Sequence, residues 1–319
     1  MNRGRKTRPR HSSQDGVYFA MEDLLSYGLL TFATLALPSL GLCLAIKVTK
    51  YFNLAYGDIV TAGAFLALLM NLSFKINIGI ALLISIALTA LLGVFLHKVV
   101  FKALMEAKVG PLTLLVVSLG VGLVIRNVVL IGWGPQPYQF NTPLTRAKHL
   151  GPFFFTPNQI VMILICILVA IGIFLMLRYT QLGRLMRATS DNPSLSLIRG
   201  ISIEKVYTYT WIIACGLAAI GGVFMGMLGT IKPGMGEEAL VTLFACLIVG
   251  GIENPYGAVV GALITAFAME ATAIWISPPY KVVSAYLLMF FILLIKPSGI
   301  FGREKIQWKY FLGFLRSRQ

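Results

Sequence analysis

The chain has 319 residues, of which 57% are hydrophobic and 12% charged, and its mean hydropathy is +0.82. That balance excludes an ordinary soluble domain and calls for a membrane interior. The formal net charge of +15 does not point to nucleic acid, because the basic residues lie at the ends of apolar runs instead of gathering in one domain among exposed aromatics.

Residues 1–20 open with MNRGRKTRPRHSSQDG and are expected to form a basic, unstructured tail. A hydrocarbon layer of about 30 Å needs roughly 20 apolar residues in a helix. Runs of that kind follow at Leu24–Ile46, Phe52–Met70, Ile78–Leu96, Leu112–Ile131, Ile160–Leu177, Val206–Leu228, Ala239–Gly251, Ala258–Ile276 and Val282–Ile295. The seventh is short, and it predicts a half-helix or tilted helix broken at GGIENPYG. The runs are continuous, which speaks against strands. The fold class read here is all-α, a polytopic membrane protein with about 8–9 crossings. One transmembrane domain spans 21–303, with a polar loop at 179–205, and an interfacial or cytoplasmic tail covers 304–319.

Lys and Arg set the orientation. One side collects Lys47, Lys50, Lys98, Lys102, Lys108, Arg178, Arg184, Arg187, Arg199, Lys205, Lys296 and the terminal basic residues. The other has Lys75, Arg146, Lys148, Lys232 and Lys281. The first side is predicted to be cytoplasmic. Nine crossings then put the basic N-terminal tail outside, against the rule. Either translation begins at Met21, or the tail is cytoplasmic and one crossing is miscounted, and the sequence leaves both open. The closing EKIQWKYFLGFLRSRQ, with Trp308, Tyr310, Phe311 and Phe314 among basic residues, suits a helix lying in the membrane interface.

Catalytic chemistry is scarce. Cys43, Cys166, Cys215 and Cys246 fall inside apolar runs without a C-x-x-C pair, and His11, His97 and His149 stand in separate segments. No G-x-x-x-x-G-K-[ST] loop occurs, so an ATP site of the Walker type is not expected in this chain. Two ionisable residues inside runs, Arg126 and Glu270, are costly in hydrocarbon unless paired or wet. They are expected to pair or to flank the outer part of a pathway, and the plain alternative is that each reaches outer headgroups or solvent.

The longest polar stretch, Leu182–Lys205, reads as a short amphipathic helix at the cytoplasmic surface, with Leu195, Leu197 and Ile198 as its apolar face and Gly200 as its stop. Within it, GRLMRATSDNPSLSLIRGIS resembles the coupling loop of permease subunits from branched-chain amino-acid ABC importers, the LivH/LivM type. Gly183, Arg184, Arg187, Ala188, Asn192, Gly200 and Ile201 fall on that pattern. FNLAYGDIVTAGAF, LIVGGIENPYGAVVGA and KPSGIFGRE resemble three further motifs of the family, in the family's order. Ser196, Glu253-Asn254-Pro255 and the basic tail depart from its pattern.

The resemblance implies a permease that binds no cofactor of its own, in the inner membrane of a bacterium or archaeon. Its partners would be two cytoplasmic ABC ATPase subunits using ATP and magnesium, a second permease subunit (identical or paralogous), an extracytoplasmic substrate-binding protein and membrane lipid. The implied substrates are leucine, isoleucine and valine, with urea or short amides as the alternative. An ion-coupled secondary transporter using Asp58 and Glu270 is the reading from a different class.

Small residues and helix breaks mark the expected translocation path. They are Asn53, Tyr56, Gly57 and Asp58 at the second run, and Gly250, Gly251, Asn254, Tyr256 and Gly257 at the break, with Arg126 and Glu270 beside them. LAYGDIV and NPYGAVV echo each other, but so short a match in so biased a composition is not read as a repeat.

Overall fold

The computed structural model describes residues 13–107, 109–142, 148–150 and 153–302. Helix α1 spans Ser13–Thr49, α2 Tyr56–Leu68, α3 Ile78–Leu96, α4 Lys102–Glu106 and α5 Pro111–Trp133. Then come α6 at Pro157–Tyr179, α7 at Gln181–Asp191, α8 at Pro193–Ile198, α9 at Ile203–Leu228, α10 at Met235–Gly250, α11 at Pro255–Trp275 and α12 at Lys281–Ile295. Wider π-type turns extend α2 through Ser73 and join α3 to α4. Eight of the described helices are long and apolar enough to cross a membrane. Helix α10, with 16 residues and about 24 Å of rise, is the short ninth.

Each apolar run of the sequence thus became a helix. Two expectations need correction. Residues 13–20, assigned to the tail, instead extend α1. The other concerns no apolar run, all of which are helical as expected: β1 (Lys148–Leu150) and β2 (Phe153–Phe155) add a short antiparallel pair in the connection before α6. A pair this small fits a surface loop, where water or neighbouring chain can satisfy the outer backbone groups. Residues 1–12 and the aromatic, basic stretch after Gly302 lie outside the described residues.

The helix starts follow local chemistry. Thr156 and Gln159 form a capping box with Pro157 at the first position of α6, and Asn77 and Asn254 cap α3 and α11. Helices α2 and α10 differ, because Ala55 and Gly234 offer no side-chain cap. Their first turns instead pass each other, with Gly57 against the backbone of Gly236 and Gly236 against that of Gly57. Across the contact, the Gly236 N–H donates to Thr61 Oγ1 at 2.9 Å. Helix α2 therefore serves the exposed start of α10, while Asn53 Oδ1 takes the Ala55 N–H before α2.

This crossing relates two halves of the chain. One interval along the sequence separates Gly57 from Gly236, Asp58 from Glu237, the end of α1 at Thr49 from the end of α9 at Leu228, and the end of α3 at Leu96 from the end of α11 at Trp275. The packing follows the same correspondence. Helix α1 packs on α11 as α9 packs on α3, α2 packs on α3 and α5 as α10 packs on α11 and α12, and α1 and α9 pack on each other. The halves run in opposite directions, giving an inverted repeat around α1, α2, α9 and α10. The LAYGDIV and NPYGAVV echo is unrelated to it, since the counterpart of Gly57 is Gly236 and not Gly257.

Helices α1, α2 and α9 form the buried core, where Gly63 meets Ala219, Gly221 meets the Pro38 ring and Gly222 meets the Val60 carbonyl. Helices α3, α5, α6 and α12 present mostly exposed Leu, Ile, Val and Phe, as a lipid-facing layer requires. The basic span ends share one face, marked by the Lys50–Glu253 and Lys102–Glu204 ion pairs.

The crossing leaves no room for a methyl group, whereas Gly172 in α6 has nothing within 4 Å of an added Cβ. Gly236→Ala should therefore cost about 1–3 kcal/mol by overpacking, and Gly172→Ala should hold or raise stability, by up to about 1 kcal/mol of helix propensity. Thermal unfolding midpoints in mild detergent check the pair: the first should fall and the second should not.

Candidate functional site: a polar junction and a surface loop

At the crossing the chain places a group of charges. Asn53 Oδ1 accepts from the Ala55 N–H at 3.0 Å, the Leu54 N–H donates to Ser118 Oγ at 2.9 Å, and the Tyr56 hydroxyl donates to the Ala214 carbonyl at 2.9 Å. Ala214 is near the middle of α9, so α2 starts inside the membrane body. Asp58, in the first turn of the helix, receives Arg126 Nε on Oδ1 at 3.1 Å and Nη2 on Oδ2 at 3.4 Å. The remaining guanidinium nitrogen, Nη1, pairs with Glu237. Gly122, one turn before Arg126 on α5, is the position where a Cβ would strike Asp58.

The charges at this junction nearly cancel. Two helix N-termini contribute roughly half a positive charge each, Asp58 and Glu237 contribute two negative charges, and Arg126 one positive. The carboxylates also stand in the first turns of α2 and α10, where the helix dipole favours them. Burial is graded: the side chain of Asp58 is 5% exposed, that of Arg126 24% and that of Glu237 56%. A carboxylate that open at this depth is costly against lipid. The open side of Glu237, between α5 and α10, must therefore meet water or a polar partner.

The expected path residues separate into distinct places. Asn53, Tyr56, Gly57, Asp58 and Arg126 converge on the junction. Gly250, Gly251, Asn254, Tyr256 and Gly257 lie at the other end of α10, about 24 Å away by helix rise, on the basic face. There Gly250 and Gly257 let α10 and α11 touch, Gly251 takes φ +112°, and Asn254 caps α11 while donating to the Phe301 carbonyl at 3.1 Å. Tyr256 stacks on Phe174 with centroids 4.7 Å apart. These residues build a turn that anchors the closing segment, as the Ile300 N–H to Val249 carbonyl bond also shows.

Arg126 and Glu270 do not pair with each other. Glu270 takes Lys281 and Thr31 as its partners, close to the face opposite the basic one. Sequence reasoning missed Glu237 and Lys281. The Gly-acid doublet shared by Gly57-Asp58 and Gly236-Glu237 was the available signal for the first, while Lys281 read only as a topology charge.

On the basic face the polar loop folds as α7 and α8. Thr180 caps α7 through the Gly183 N–H, and Asn192 ends α7 and caps α8 through the Leu195 N–H at 3.0 Å. Gly200 follows with φ +79°, a left-handed stop suited to glycine. Gly183 is packed on the backbone of Met176 and Leu177, and Arg187 donates to the Leu177 carbonyl, so these two residues hold the α6–α7 corner. Ala188 is half-buried and its carbonyl accepts from the Asn192 N–H, while the Ile201 N–H returns to the Ser196 carbonyl. The outward surface belongs to Leu195, Leu197 and Ile198, the last 82% exposed, with Arg184 and Arg199 at its edges.

Comparison with known proteins gives the family. The family model described as "Branched-chain amino acid transport system / permease component" matches residues 24–293. The high-affinity branched-chain amino acid transport system permease protein LivH of Escherichia coli strain K12 is 25% identical over 310 residues, covering 92% of this chain and 99% of its own. The probable branched-chain amino acid transport permease protein LivH of Methanocaldococcus jannaschii is 27% identical over 303 residues, covering 90% and 94%. The ribose import permease protein RbsC of Escherichia coli strain K12 is 26% identical over 240 residues, covering 73% and 72%. No solved structure matches. With the family model spanning nearly all the helices described above, the chain belongs to the permease components of branched-chain amino acid transport systems.

Proposed function

We propose that this chain is the membrane subunit of an ATP-driven importer that passes branched-chain amino acids from the outside to the cytoplasm. The observation that carries the reading is the α7–α8 surface. An apolar knob rimmed by arginines is unstable against water, and it stands on the basic face, which the positive-inside rule makes cytoplasmic. Two soluble ATPase subunits, one on each of two permease chains, are the fitting partners. ATP and magnesium would be bound and used there, and this chain would bind neither.

The junction supports the substrate side of the reading. An amino acid crosses as a zwitterion and needs a carboxylate partner and an ammonium partner together. Arg126, held in place by Asp58, has its Nη1 side turned to a carboxylate that solvent can reach. A substrate carboxylate could replace Glu237 there, leaving Glu237 for the ammonium group. The half-helix starts add their positive ends toward the same carboxylate. A second permease copy or paralogue across the open side of Glu237 would close the path, and an external binding protein would deliver substrate to it. Urea or short amides are the alternative cargo, and they would use the same path without the paired charges.

Two measurements test this. Ile198→Glu and Leu197→Glu change exposed residues, so the stability should stay within about 0.5 kcal/mol of the parent, while ATPase recovery on copurification and leucine uptake should both be lost. Retained uptake without any ATPase, abolished by ionophores, would replace the reading with an ion-coupled one. At the junction, Arg126→Gln should cost about 3–5 kcal/mol by stranding Asp58, and Asp58→Asn/Arg126→Gln should recover much of that without recovering uptake. Glu237→Gln, at an open position, should change stability by less than about 1 kcal/mol and still depress leucine uptake in proteoliposomes.

A further inference from the structure

A cavity of about 500 Å³ opens near the face opposite the basic one, between α1, α9, α10, α11 and α12. Its volume lies within the range of small-molecule sites. Its walls combine two kinds of surface. Leu30, Leu35, Met225 and Met269 are apolar, and Thr31, Glu238, Glu270 and Lys281 are polar or charged. Met235, the first residue of α10, also lines it, so the cavity reaches the element that carries Gly236 and Glu237. It lies between the outer face and the junction.

The charges have a definite arrangement. Glu270 is buried and accepts from both Lys281 and the Thr31 hydroxyl, and Lys281 Nζ is 3.3 Å from Thr31 Oγ1. The Lys281 side chain is a third exposed. Glu238 is held across the rim by Lys232 at 2.8 Å. The Glu270–Lys281 pair costs little when the cavity is empty of solute, because each charge satisfies the other. A solute carrying one carboxylate and one ammonium can enter between them head to tail, and one ion pair then becomes two. A solute with a single charge leaves one member of the pair unmatched.

We infer that this cavity is an entry site for the zwitterion of an apolar α-amino acid, with Lys281 taking the carboxylate, Glu270 the ammonium group, and Leu30, Leu35 and Met269 the aliphatic side chain. The inference rests on the transport reading above and adds a binding step before the junction. It also gives Glu270 and Lys281 a role that their distance from Arg126 denies them at the junction. Selection for zwitterions would begin here, ahead of the membrane middle.

Cysteine protection tests it on the full chain in lipid nanodiscs. Tyr27→Cys places a thiol at the exposed rim, and Cys43, Cys166, Cys215 and Cys246 are all buried, which keeps background low. The labelling rate with a membrane-impermeant maleimide is measured against L-leucine, 3-methylbutylamine and 4-methylpentanoate. L-leucine should protect and the two single-charge analogues should not. Glu270→Gln should raise the half-protecting concentration roughly tenfold or more, as expected for loss of one charged partner. Should that variant fold poorly, Glu270→Gln/Lys281→Met removes both charges together and should abolish protection while keeping the parent's thermal midpoint. Labelling unaffected by L-leucine in a chain whose assembled complex imports leucine overturns the cavity and spares the transport reading. Equal protection by all three compounds also overturns it, since that pattern marks an apolar or lipid site. Protection by L-leucine in a complex that imports no leucine upholds the cavity and sinks the transport reading.

Discussion

The backbone contact between Gly57 and Gly236 is the constraint on which the rest of the molecule depends. Two helices begin inside the membrane, and a helix start leaves four N–H groups without intrahelical partners. In water these would be solvated, but in hydrocarbon each one unpaired costs several kcal/mol. The chain meets this by bringing the two starts together, with Thr61 serving the Gly236 N–H and first-turn carboxylates facing both dipoles. The contact requires two glycines. It also draws two negative charges into one place, and Arg126 from α5 is the counter-charge that lets them stay.

Seen this way, the inverted repeat is more than a record of how the chain is arranged. Each half supplies one broken helix, one glycine and one acid, so the junction is nearly symmetric in backbone. It is asymmetric in exposure, because only one arginine is present and it comes from the first half. Asp58 is thereby locked as a structural partner, while Glu237 keeps an open side. The backbone frame is thus nearly symmetric, and the difference between its two acids lies in their exposure.

Much of this was legible in the sequence and some was not, for identifiable reasons. The spans could be read because continuous apolar runs and Lys/Arg ends report directly on hydrocarbon thickness and interface, and every run named became a helix, within a few residues at each end except the start of α1. The shape of the surface loop could be read because Asn192, Pro193 and Gly200 act locally, through caps and a left-handed stop. Partners across the fold could not. Arg126 is as far along the chain from Asp58 as it is close in space, and no periodicity in α5 points to that carboxylate. Glu237 was not singled out because it stands just before the run that begins at Ala239. The contacts at Gly250–Gly257 were not legible, since small residues that let α10 and α11 touch look the same in sequence as small residues that line a path. Only the closing segment packed against them separates the two meanings.

The surface loop and the junction are joined by one unbroken element. Helix α9 starts at Ile203, directly after the Gly200 stop of the loop, and runs without a proline to Leu228. Along that length it touches the loop through α7 and α8, holds Tyr56 through the Ala214 carbonyl, and meets Val60 through Gly222. The corner on the other side of the loop is tied as well, by Arg187 on the Leu177 carbonyl at the end of α6. A rigid helix held at both ends cannot tilt at the loop without moving Tyr56. Moving Tyr56 shifts the start of α2, and with it the distance between Asp58 and the start of α10. Because close-packed glycine contacts allow only discrete arrangements, such a tilt would tend to switch the junction between two settings in place of deforming it gradually. The loop and the charges at the membrane middle are thus joined by continuous packing along α9.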